Sequence, residues 1–268
     1  HRAVHQVSGK VMAKKKSGKP FHWICPACLI LLWQAFCSWG LIPADRLVSP
    51  LDVIRGLYEL ESEGLPPGYV LHLHVFYSLK LVAAGFLSAL VLALPLGVLI
   101  GGSHAARAVL GPFFEFLRPV PPLAWIPLSM LWFGIGFPSA CFIIFLGSFF
   151  PILVNTISGV LNAPVGLVGA AEVLGANKRQ IWFKVLLPAA LPSALTGVRL
   201  GMSVAWMTLV AAEFTGTQDG YGLGYMIMTA RDLQRLDLII AGMVVIGIIG
   251  IFLERLLCYT SRRLLHRV

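Results

Sequence analysis

Apolar positions in this chain run in stretches too long for a soluble helix and too unbroken for strands that alternate. Phe21 to Ala44 carries no Asp, Glu, Lys or Arg, and neither does Leu81 to Gly102. From Pro119 to Ala171 there are 53 residues without a formal charge, room for two helices joined by a tight turn at residues 134–138. Val185 to Ala212 is broken only by Arg199, and Leu238 to Leu253 forms the last stretch. A helix crosses the bilayer core with ~20 apolar residues, and a barrel strand with ~10 of alternating character. The pattern therefore predicts an all-α, polytopic membrane protein with about six spans, near residues 21–44, 79–102, 119–136, 139–160, 190–212 and 238–257. Together they make one transmembrane domain over 21–257, between a basic segment at 1–20 and a tail at 258–268.

Composition sharpens this reading. Only 12% of the 268 residues are charged and 57% are hydrophobic, too little polar surface to cover a water-soluble core. A cytosolic enzyme, a nucleic-acid-binding domain and a disulfide scaffold are excluded, despite the net charge of +9. The five cysteines lie in or beside apolar stretches. Cys25 and Cys28 have C-x-x-C spacing, but no second pair completes a metal site, so they read as buried small hydrophobes. No cleavable signal peptide is expected, because the first apolar run is long enough to span.

Orientation follows from the basic residues. Fourteen Lys and Arg fall before span one, after span six, and in the loops between spans two and three and between four and five; four fall on the other side. Both termini are expected in the cytoplasm. The long outer loop holds an amphipathic pattern from Leu51 to Leu60, with Ser49 placed to cap it and Pro50 at its first position. His72 and His74 follow and read as interfacial packing.

The loop between spans four and five, residues 164–184, is longer than a turn requires. Leu167, Val168, Ala171 and Leu174 recur at helical spacing until Gly175 ends the run. Asn177 then opens a second helix, with Gln180 three residues on completing an N-x-x-Q variant of the capping box. Two short helices meeting at a glycine, with a small apolar tip at Gly169, Ala170 and Ala171, suit a groove on a cytosolic partner. The plainer alternative is an interfacial helix packed on its own bundle.

This segment resembles the EAA loop of ABC-transporter permeases. Ala170 and Ala171, Gly175 at the expected spacing and the Val185–Pro188 ending match; Gly169 replaces the motif's Glu, and Glu172 follows the alanines. The stretches Leu117–Leu128, Leu131–Gly136, Pro192–Glu213 and Gly222–Tyr225 are similar to the nitrate/sulfonate/taurine-type permeases of binding-protein-dependent importers. The resemblance implies a type I importer-like fold and a path for a small anionic solute. It also implies a second permease copy, two ABC ATPase subunits that bind ATP and Mg, and an external solute-binding protein. Leu167, Gly169, Ala170, Ala171, Glu172, Leu174, Gly175 and Ala176 would meet the ATPase. The chain itself holds no P-loop: Gly9-Lys10 and Gly18-Lys19 lack the preceding glycine and the hydroxyl residue. It is therefore not expected to be an enzyme or to carry a cofactor.

Pro119, Pro121, Pro122 and Pro127 cannot share one regular helix, and irregular backbone at membrane depth must face protein or water. Pro122, Trp125, Met130, Trp132, Phe133, Trp206 and Glu213 are the candidate path residues. Glu213 either lines the path or fixes a helix end, and Arg199 snorkels or caps carbonyls. Glu115 and Arg118, three apart, are spaced to pair. The rival function is a self-sufficient ion-coupled transporter using Glu213 as its coupling carboxylate.

Overall fold

In the computed structural model, the residues described are 21–39, 47–65, 68–214 and 220–265. The basic segment 1–20, the end of the first expected span and residues 266–268 of the tail lie outside them. The helices are α1 (Phe21–Ser38), α2 (Pro50–Ser62), α3 (Leu71–Gly102), α4 (His104–Leu117), α5 (Ile126–Phe133), α6 (Phe137–Leu161), α7 (Val165–Val173), α8 (Lys178–Ile181), α9 (Leu187–Glu213), α10 (Leu223–Asp232) and α11 (Leu236–Leu265). A 3₁₀ turn precedes α5 at Pro122–Trp125, and a π-turn joins α8 to α9 at Trp182–Leu186. Among the described residues there is no strand.

The chain divides into residues 1–54 and 55–268. In the first unit the indole N–H of Trp33 donates to the Val48 carbonyl (3.1 Å), and Ser49 caps α2 by accepting from the Asp52 N–H (3.3 Å). Four helical stretches of the second unit are long and apolar enough to cross a membrane: 71–102, 137–161, 178–213 and 236–265. The remaining two expected spans are shorter here: α1 has 18 residues, and the expected third span is interrupted.

Three boundaries differ from expectation. The second apolar helix begins at Leu71, so His72 and His74 sit in its first turns and not in a loop. The fifth is continuous with the loop helix α8 through the π-turn, so it starts at Lys178. The third segment does not begin at Pro119. Helix α4 already runs from His104 along the Leu161 end of α6, where Arg107, Gly111, Phe114 and Arg118 share a cleft of about 180 Å³ with Val154, Ser158 and Leu161. Arg107 enters this apolar setting because its guanidinium donates to the exposed carbonyls at the end of α3, Ile100 (3.3 Å) and Gly101 (2.8 Å). Among the described residues, Glu115 and Arg118 form no ion pair.

Helices α3, α6 and α9 make the core. Ala89, Ala93, Ile100, Ile152 and Leu153 are almost wholly buried there, joined by Phe86 and Phe149. Small residues bring the helices together, as van der Waals contact requires in a bilayer where apolar packing partners are everywhere. Gly97 and Gly101 face Thr156 and Val160, and a Cβ on Gly97 would stand 2.6 Å from Thr156 Cβ. Gly97→Val should therefore cost about 1–3 kcal/mol, read as a lowered Tm in detergent.

At the far end Arg235 donates to both Glu59 oxygens (2.9 and 2.6 Å) and to Asp237 (2.7 Å), holding α2 against the start of α11. The hydrogen bonds from Arg235 hold the Glu59 carboxyl below its ordinary range. Its stabilising share is thus present above the ordinary carboxylate pKa and lost as pH falls through the lowered one. Because these groups are partly exposed, Arg235→Ala should cost only about 1 kcal/mol in thermal denaturation.

Four cysteines are less buried than expected: Cys28 is exposed, and Cys37, Cys141 and Cys258 are half-buried free thiols on apolar helices.

Candidate functional site

The loop between α6 and α9 is a capped helix pair. Helix α7 ends in a Schellman turn, with the Ala176 N–H donating to the Ala171 carbonyl (2.9 Å) and the Gly175 N–H to that of Glu172 (2.9 Å). Gly175 takes φ of 78°, a left-handed value that a side chain would strain. Helix α8 then opens with the predicted reciprocal cap: the Asn177 N–H donates to Gln180 Oε1 and the Gln180 N–H to Asn177 Oδ1, both at 2.9 Å. The base of the pair is seated on the bundle, since the Trp182 indole fills the space a side chain on Gly102 would occupy.

The tip is bare. Leu167 is 55% exposed, Val173 89% and Leu174 86%. Gly169 and Gly175 have open space around them, Ala170 and Glu172 are exposed, and Ala171 and Ala176 are half-buried. Ala171, Leu174, Gly175 and Ala176 edge a notch of about 350 Å³, closed on the other side by Gln180, Lys184 and Val185. The sequence reading missed Val173, the most exposed apolar residue of the tip, although it adjoins Leu174 in the same final turn.

The candidate path residues are not brought together. Pro122 lines a groove of about 400 Å³ with Arg118, Gly147, Pro151, Asn155 and Val204. Trp125, Trp132 and Phe133 instead gather around Phe142, with ring centroids 6.5, 6.1 and 5.3 Å from it. Met130 is half-buried beside them in α5. Trp206 is a correction to the grouping: it joins neither set but packs between α9 and α11, its indole N–H donating to the Ile246 carbonyl (3.1 Å). Arg199 lines a separate cleft with Met202, Trp206 and Glu254.

Glu213 is the second correction, because it presents no face to any wall. Its carboxylate is wholly buried, accepting from the Ser78 hydroxyl at Oε1 (2.6 Å) and from the Gly224 N–H at Oε2 (2.6 Å). Ser78 accepts in turn from the Leu223 N–H (2.8 Å). At the first turn of α10 the Glu213 carboxyl and the Ser78 hydroxyl thus each accept from an amide that has no helical partner. Beside it, His74 Nδ1 lies 3.0 Å from the Gly222 carbonyl oxygen and 3.1 Å from its nitrogen. Tyr69, Tyr221 and His74 pack over the junction, the two tyrosine rings 4.3 Å apart. Of the two roles open to Glu213, the geometry gives the helix-fixing one. Ser78 and His74 went unnoticed as its companions because 135 and 148 positions separate the bonded pairs.

Residues 93–267 match the family model for a binding-protein-dependent transport system inner membrane component. A protein of Methanocaldococcus jannaschii, named provisionally as an ABC transporter permease, is 52% identical over 87% of this chain and 86% of its own. The taurine transport permease TauC of Escherichia coli is 36% identical over 89% of this chain and 86% of its own. The nitrate import permease NrtB of Synechocystis is 35% identical over 87% and 84%. Among solved structures, the MetNI methionine ABC transporter in an inward-facing conformation matches with a TM-score of 0.58 and 22% identity, covering 72% of this chain and 93% of that one. At that identity the likeness speaks for the fold alone.

Proposed function

This chain belongs to the binding-protein-dependent transport system inner membrane components, the permease subunits of ABC importers, and from that membership we propose how it works. It is the multi-pass membrane subunit and is not itself catalytic; ATPase and solute-binding partners complete such a system. In our reading two copies face each other and two cytosolic ATPases bind ATP and Mg. Each α7–α8 pair seats in an ATPase groove. The solute is a small anion of the taurine, nitrate or bicarbonate kind that relatives are named for. Both termini and the α7–α8 pair lie in the cytoplasm.

The exposed apolar tip carries the coupling assignment. Val173 and Leu174 project from a helix pair whose junction is held by a Schellman turn and a reciprocal cap and whose base is pinned by Trp182. A rigid presentation of uncovered apolar side chains fits a partner groove, and its two positions give the ATPase a differential contact by which nucleotide state biases the spans. The ion-coupled alternative loses support from the burial of Glu213, whose two oxygens are both engaged within the chain.

The test is purification of the tagged chain from its native membrane with mild detergent. ATP hydrolysis should co-elute with it, and vesicles of the assembly should take up solute only with ATP and the binding protein. Gradient-driven uptake by the chain alone would overturn the reading.

A further inference from the structure

The groove at the interruption of the third segment combines three things that do not belong against lipid. Prolines at 119, 121 and 122 remove three amide donors in four positions, leaving irregular backbone that is stable at depth only beside protein or water. Arg118 is exposed at that break, and among the described residues it makes no ion pair. Asn155 lines the same groove from α6; one of its amide hydrogens donates to the Pro151 carbonyl (2.8 Å), leaving the second for another acceptor.

Depth makes these features telling. Arg118 is level with Val154 and Asn155, six or seven residues from the Leu161 end of α6, or ~10 Å at helical rise. Arginine in hydrocarbon costs ~2.5–3.5 kcal/mol on insertion scales, so a conserved-volume apolar residue would serve better if lipid lay outside. Surfaces suited to lipid look different: α11 shows Met243, Ile248, Ile251 and Phe252, and α3 shows Leu87 and Val91, all apolar and more than half exposed. Arg107, the other arginine of this segment, is used up on the α3 carbonyls. Arg118 is not, and Glu115, one turn back, lines the neighbouring cleft and not this groove.

We propose that Arg118 and Asn155 form an anion-contacting station on the translocation path, selecting a small planar or tetrahedral oxyanion group such as a sulfonate, nitrate or carboxylate. This rests on the permease reading above and adds a named specificity-determining pair to it. The guanidinium offers a fork of donors to two oxygens at once, the Asn155 amide offers another, and Gly147 and Pro151 line the α6 wall beside them. Val204 on α9 closes the opposite side.

The test uses the full assembly in native membrane vesicles, with the five native cysteines replaced and Val204→Cys as reporter. Its thiol is challenged with a sulfonate-bearing methanethiosulfonate and with the trimethylammonium analogue. The anionic reagent should react faster, and Arg118→Gln should lower the anion-to-cation rate ratio about tenfold, with Arg118→Lys restoring most of it. Glu115→Gln should leave the ratio no lower than before. A ratio unchanged by Arg118→Gln overturns the station, as does failure of both reagents to react with and without ATP, which would mean no water enters the groove. Retention of the ATPase by each variant is scored separately, so loss of the importer reading and loss of the anion station give different results.

Discussion

Leu174→Asp is expected to abolish ATP-driven uptake while the chain still inserts and keeps its fold. The side chain is 86% exposed and touches little of its own protein, so its replacement costs almost nothing in the isolated chain. In an ATPase groove the same position is apolar and covered. Burying a leucine is worth about 1.5–3 kcal/mol, and an unpaired carboxylate in its place costs further. A combined loss of about 3 kcal/mol or more is a factor of about 100 or more in affinity. The ATPase should then be missing after purification, while the Tm of the permease is unchanged. Gly175→Pro attacks the same contact through the backbone. Proline cannot adopt φ of 78° and removes the N–H donated to Glu172, so the two loop helices no longer meet at the same angle. Full ATPase retention and uptake in both variants would remove the tip from the coupling route.

Glu213→Ala is expected to lower stability by about 2–4 kcal/mol, because it strips acceptors from donors that no water reaches. The Gly224 N–H and the Ser78 hydroxyl both point into the space vacated, and α3, α9 and α10 lose their common tie. Glu213→Gln should be much milder. Its amide oxygen can still accept from Gly224, and its NH₂ can donate to Ser78, which already accepts from Leu223. Thermal unfolding of the two variants in nanodiscs measures the difference. Equal Tm values for Ala and Gln would show the carboxylate to be dispensable at the junction.

Local signals explain what the sequence disclosed. The Gly175 break and the reciprocal Asn177–Gln180 cap depend on residues three to five apart, and both stand as expected. The fate of Arg107 was illegible, because its charge is quenched by α3 carbonyls that only the fold brings near. With Glu115 and Arg118, Arg107 breaks the uncharged run, so the expected third segment starts at Pro119, fifteen residues after the helix starts at His104. The same limit hid the junction. His74 reads as a loop residue until the fold places it against Gly222, and Glu213 offers no clue that its partners are Ser78 and Gly224. Trp206 meets the carbonyl of Ile246 and the bare backbone of Gly250, contacts on α11 that no local pattern announces.

From Lys178 to Glu213 the chain is one helical strut of 36 residues, ~54 Å long at helical rise. One end is the Asn177 cap beside the bare tip, and the other is clamped to α3 and α10 through a carboxylate. Two irregularities lie near the first end: the π-turn at Trp182–Leu186 and, further along, Pro192 inside α9, which removes one amide donor from the ladder. Under the coupling proposed above, a nudge at the near end should reach Gly224, at the other end of this helix, as a lever stroke.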